Sequence, residues 1–142
     1  MYLLQYTCMG IVLLRAPWTP GPAAGTDGSV LISVTDFRLA KARDLPGAYL
    51  AAMRLRRAWP DLQGAVGLWL WGQPLRRRSG AVSVWEDEEA LRHFVNWPVH
   101  VAIMDRYRRA GKLTSTSWQA DGFVPAEVWR QATRQLAAKE PS

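Results

Sequence analysis

The chain has 142 residues, about half of them apolar, a single cysteine (Cys8) and a formal net charge of +6. That length fits one domain with a buried core, and one cysteine excludes an intrachain disulfide and suits a reducing compartment such as the cytoplasm. The positive excess is arginine scattered through predicted helices and one turn. With no zinc-finger spacing and no RNA-binding signature, it points to neither nucleic acid nor membrane as a partner.

The uncharged apolar run Met1–Leu14 is too short to span a bilayer. It lacks the basic start and small-residue cleavage site of a secretory signal, so it is expected to be an added strand or arm. Three prolines and three glycines make 16–29 a linker or loop. Val30–Leu39, with β-branched and apolar residues interleaved with polar ones, is the first core strand. Asp44-Leu-Pro46 opens a helix with an N-cap acid and Pro in the first turn. Leu45, Ala48, Ala52, Leu55 and Trp59 form its apolar stripe, and Pro60 ends it. Gly64–Trp71 is the second strand, with Val66, Leu68 and Leu70 expected on one face and Trp69 and Trp71 on the other. The run Arg76-Arg77-Arg78 falls in a solvated hairpin turn before the third strand, Ala81–Glu86. Asp87-Glu-Glu starts a second helix suited to its positive dipole end. That helix is broken at Pro98, which costs roughly 3 kcal/mol inside a helix. It runs on to Arg109, with Gly111 as its stop. Thr114–Gln119 is the fourth strand and Pro125–Lys139 a final amphipathic helix.

The order βαββαβ plus one helix is the α+β, ferredoxin-like split unit. The domain covers 30–123, preceded by the arm and Pro/Gly-rich linker of 1–29 and followed by a C-terminal helix and tail, 124–142. The second strand is apolar on both sides, so the face away from the helices must be covered. A second copy of the same sheet is the simplest cover, which predicts a twofold homodimer. Eight tryptophans supply a large core or interface, or an aromatic-lined ligand pocket.

Leu31-Ile-Ser-Val-Thr-Asp-Phe, Ala65-Val-Gly-Leu-Trp-Leu, Ser83-Val-Trp-Glu-Asp-Glu-Glu-Ala-Leu-Arg-His-Phe and Pro98-Val-His together resemble the antibiotic-biosynthesis-monooxygenase-like superfamily. Within it the chain looks closest to the branch of spheroidene-monooxygenase-like and uncharacterised actinobacterial proteins. The resemblance implies a dimeric α+β barrel. It also implies one of several activities, among them cofactor-free oxygenation of polyketide phenols and haem degradation, and fold alone does not choose between them. Where the haem-degrading branch has a Trp and an axial His, this sequence has Phe94 and Met104, which argues against haem degradation. Haem remains the one cofactor to test, with His100 as its ligand.

His93, Asn96 and His100 lie three and four residues apart. A shared metal is not expected, because seven residues of helix separate the two histidines by about 10 Å, against Zn–N bonds of ~2 Å. Just past the Pro98 break, His100 stands in a first helical turn. Orphan N–H groups there disfavour imidazolium and leave a neutral base. His100 is therefore the candidate catalytic residue. Ser33, Thr35, His93, Asn96, Trp97, Met104 and Tyr107 are candidate substrate contacts, and Asp36 is a further polar group near the expected cavity. The reading is a small natural-product tailoring enzyme, monooxygenase or cyclase, acting on a hydrophobic aromatic molecule without a cofactor. A non-catalytic ligand-binding dimer is the rival.

Overall fold

The computed structural model describes residues 4–8 and 11–139. Seven strands form one sheet: β1 (Leu4–Cys8), β2 (Ile11–Arg15), β3 (Thr19–Pro20), β4 (Val30–Leu39), β5 (Ala65–Gln73), β6 (Arg78–Trp85) and β7 (Gly111–Ala120). Four helices join them: α1 (Leu45–Ala58), α2 (Glu88–Val95), α3 (Pro98–Tyr107) and α4 (Pro125–Ala138). The strands run in the order β1-β2-β5-β6-β4-β7, with β3 pairing β5 beside β2, and every pairing is antiparallel. The inner order β5-β6-β4-β7, with α1 after β4 and α2–α3 after β6, is the ferredoxin-like α+β arrangement.

Alternation along β4 sets the two layers. Val30, Ile32 and Val34 join a core with Val66, Trp69, Val82 and Val84. Leu31 joins a second core with Trp59, Ala65, Leu68, Trp85 and Ala90 on the opposite face. A bulge between Ala65 and Gly67 shifts the phase of β5. Val66 therefore falls with Trp69 and Trp71, not with Leu68 and Leu70 as strict alternation predicts, because a bulge reverses the side to which earlier residues point.

The first of these faces is covered from within the chain. Val128, Ala132 and Leu136 of α4 close it, with Trp18, Ala23 and Phe123 packed alongside. The Arg15 guanidinium lies 4.9 Å from the Trp69 ring and 4.5 Å from that of Trp129, joining the arm to α4. The uncovered apolar face that motivated a homodimer of facing sheets is thus filled by the C-terminal helix.

Arg78 corrects the reading of its arginine run. It is 1% exposed and pairs with Asp36, donating from Nη2 to Oδ2 at 2.9 Å and from Nε to Oδ1 at 3.3 Å. It also donates to Gln73 Oε1 at 3.2 Å and to the Leu136 carbonyl at 3.0 Å, holding the end of α4. Asp36 therefore faces α4, not the helix-side cavity. Arg77 takes the left-handed backbone of the turn (φ 54°) and bonds the Leu39 carbonyl at 3.1 Å.

The Pro98 break is present. α2 ends at Val95, Trp97 is extended (φ −65°, ψ 131°), and Pro98 begins α3. Asp87 caps α2, its Oδ1 accepting from the Ala90 N–H at 2.8 Å. Asp44 stands at the N-cap of α1 but makes no capping bond. Gly111 is not a helix stop. α3 ends at Tyr107, and Gly111 begins β7, where a Cβ would lie 2.0 Å from the Arg38 carbonyl oxygen.

Candidate functional site

A groove of about 690 Å³ opens where β6 runs into α2 and α2 meets α3. Trp85, Phe94 and Trp97 give it an aromatic wall; Glu86, Asp87 and Glu89 line it with carboxylates. The wall continues inward, with Trp59 centred 4.9 Å from Trp85 and 5.5 Å from Phe94. The Trp59 indole N–H is buried without a hydrogen-bond partner among the described residues, whereas that of Trp85 donates to Ser83 Oγ at 3.0 Å.

Three of the candidates line the groove: His93, Asn96 and Trp97. Trp97 does so because the Pro98 break makes it the extended N-cap of α3. His93 is an exposed side chain 3.8 Å from Glu89, one turn back on α2. Asn96 ends α2. His100 stands behind this wall. Its ring is 4.5 Å from that of Phe94, and its Nδ1 is 3.1 Å from the Val95 carbonyl oxygen. A carbonyl only accepts, so Nδ1 carries the proton and Nε2 keeps its lone pair. Burial lowers the His100 pKa below its ordinary value, and the bond to Val95 partly opposes the shift. The direction is the one expected from the sequence, but the main cause is desolvation, not the helix dipole.

The remaining candidates do not reach the groove. Ser33 is buried on the helix-covered face, where its carbonyl accepts from Ser83 Oγ at 3.4 Å. Thr35 is held by the sheet: its hydroxyl accepts from the Ala81 N–H at 3.0 Å and its carbonyl from the Trp71 indole at 3.1 Å. Met104 is half-buried on α3. Tyr107 packs edge-on to Phe37, ring centroids 6.4 Å apart, and its hydroxyl fills the space beside Gly47, where a Cβ would approach it to 2.6 Å. Missed in the sequence were the lining roles of Glu86, Asp87 and Glu89. Their signal, four consecutive acids, is equally that of a helix start.

Neither a family model nor a curated protein sequence matches the chain. Solved structures do. SnoaB, a cofactor-independent oxygenase from Streptomyces nogalater, is 16% identical with a TM-score of 0.53, over 70% of this chain and 99% of that one. A candidate antibiotic biosynthesis monooxygenase from Nitrosomonas europaea is 8% identical with a TM-score of 0.58, over 70% and 96%. LmHde, the heme-degrading enzyme of Listeria monocytogenes, is 12% identical with a TM-score of 0.56, over 77% and 72%. The fold is that of the antibiotic-biosynthesis-monooxygenase-like proteins. At these identities the likeness reaches the fold and goes no further.

The groove does not suit haem. Haem brings two propionates, and this groove offers three carboxylates and no lysine or arginine. His100, the ligand expected from the sequence, does not line it, and the histidine that does, His93, lies 3.8 Å from the Glu89 carboxylate.

Proposed function

We propose that the protein is a small tailoring enzyme of the cofactor-independent oxygenase type, with His100 as its base and a flat, apolar, oxygenated aromatic as substrate. The observation that carries this is the state of His100: half-buried, oriented by the Val95 carbonyl, with its pKa lowered so that Nε2 is an unprotonated acceptor at neutral pH. Phe94 and Trp97, half-buried and backed by the buried Trp85, provide stacking surface for a flat substrate. His100 lies behind Phe94 and not on the groove itself, so the proposal requires the Phe94 ring to turn aside; Nε2 would then take a proton from a phenol or an acidic C–H. The substrate anion then reduces O2, with one oxygen atom entering the substrate and the other leaving as water. Where O2 is not used, the same anion closes a ring. The protein's part is to orient the substrate and exclude water. The SnoaB likeness is consistent with chemistry that needs no bound group.

Oxygen consumption with a panel of polycyclic phenols tests the reading. His100→Ala is expected to fold and to lose about a hundred- to ten-thousand-fold in rate. Turnover equal to wild type in that variant removes His100 from the mechanism.

A further inference from the structure

Cations that look scattered in the sequence are brought together at one end of the sheet. Three connections meet there. The Leu39 N–H donates to the Arg77 carbonyl at 2.8 Å, and the Ala40 N–H to the Ala110 carbonyl at 2.9 Å. The segment after β4 brings exposed Lys41 and Arg43, and the β5–β6 turn brings exposed Arg76 and Arg77. The segment joining α3 to β7 adds exposed Arg108 and Arg109, and the start of β7 adds Lys112. Among the described residues the acids here are Asp44, and Asp105, which pairs with Arg108. The acidic run Glu86–Glu89 follows Trp85, which pairs with Leu31 at the far end of β4, and Asp121 follows Ala120 at that same end. Ten residues of β4 separate the two poles by about 30 Å. The screening length in physiological salt is ~8 Å. A surface at the basic end therefore meets that pole and not the chain's net charge.

At the tip of the β5–β6 turn, between Pro74 and Arg76, stands Leu75, 98% exposed. An apolar side chain projecting from a basic end of the sheet suits an interface that is anionic outside and apolar beneath. Phosphates of a nucleic acid make no use of it.

We infer that this basic end docks the protein on an anionic lipid bilayer, with Leu75 entering the headgroup region and the surrounding lysines and arginines meeting lipid phosphates and carboxylates. Each basic side chain brought to such a surface strengthens partition about fivefold, and a buried leucine adds about tenfold. The acidic pole, with the groove at its edge, then faces away from the membrane. This docking does not depend on the chemistry proposed for His100.

Flotation of the full chain with vesicles decides it. Binding is expected to phosphatidylcholine vesicles containing phosphatidylserine, to be lost on pure phosphatidylcholine, and to fall in high salt. Lys41→Glu with Lys112→Glu is expected to weaken it by about twentyfold or more, and Leu75→Ser by about tenfold. All three positions are exposed, and unchanged melting temperatures confirm that the variants fold. No binding to the anionic vesicles overturns the inference. So does Leu75→Ser binding them as wild type does, or tighter binding to a DNA duplex than to vesicles that Leu75→Ser leaves unaltered.

Discussion

On the α4 side of the sheet, Val128, Ala132 and Leu136 pack onto valines, isoleucine and tryptophans, and the buried Asp36–Arg78 ion pair is hydrogen-bonded. On the opposite side, α1 has no fully buried residue, the Trp59 N–H lacks a partner among the described residues, and a groove opens at the α2–α3 joint. The first face consists of well-packed contacts. The second leaves polar groups and aromatic surface available to a ligand. The proposed function thus places the chemistry on the side of the sheet opposite α4, and substitutions on the two sides are expected to behave differently.

The largest effect is expected at Asp36. Asp36→Ala leaves Arg78 buried beside Gln73 and the Leu136 carbonyl without its counter-charge, and breaking such a pair costs about 3–5 kcal/mol. Chemical denaturation measures it; a loss below that of an ordinary surface substitution would mean that α4 is not held through this pair. Asp87→Ala, on the helix side, removes only the cap bond to Ala90 and is expected to cost about 1 kcal/mol by the same measurement. The smallest effect is that of pH on His100. Its pKa is lowered in the folded chain, so its contribution to stability is complete above the ordinary value of 6.5 and is lost as pH falls through the folded value. Titration by NMR should place its midpoint below the ordinary value of 6.5. A higher midpoint would remove the neutral base on which the proposed chemistry rests.

Local patterns were legible in the sequence. β4 spans the residues that alternation marked, and Pro98 divides the helix where its missing N–H requires. What escaped was nonlocal. The Asp36–Arg78 pair joins residues 42 apart, and no periodicity shows that an arginine in a basic run turns inward. The bulge in β5 leaves no signature beyond Gly67, whose position a Cβ could not occupy without reaching the Trp18 ring at 1.7 Å. The groove escaped for a related reason: it is formed by the angle between α2 and α3, and the sequence shows the break without the angle. Ser33, Thr35 and Tyr107 are polar or aromatic residues on elements that border the expected cavity. Thr35 and Tyr107 turn out to be held by neighbouring strands and helices.

The position of α4 in the chain bears on how the protein is made. Every described strand of the sheet precedes it, and β4, β5 and β6 leave the ribosome well before residues 125–138 do. Until then Val30, Ile32, Val34, Val66, Val82 and Val84 form an uncovered apolar surface on a nascent chain. During that interval the polypeptide is most exposed to aggregation and to capture by chaperones. Docking of the last helix, and with it the contact from Arg78 to Leu136, ends the interval.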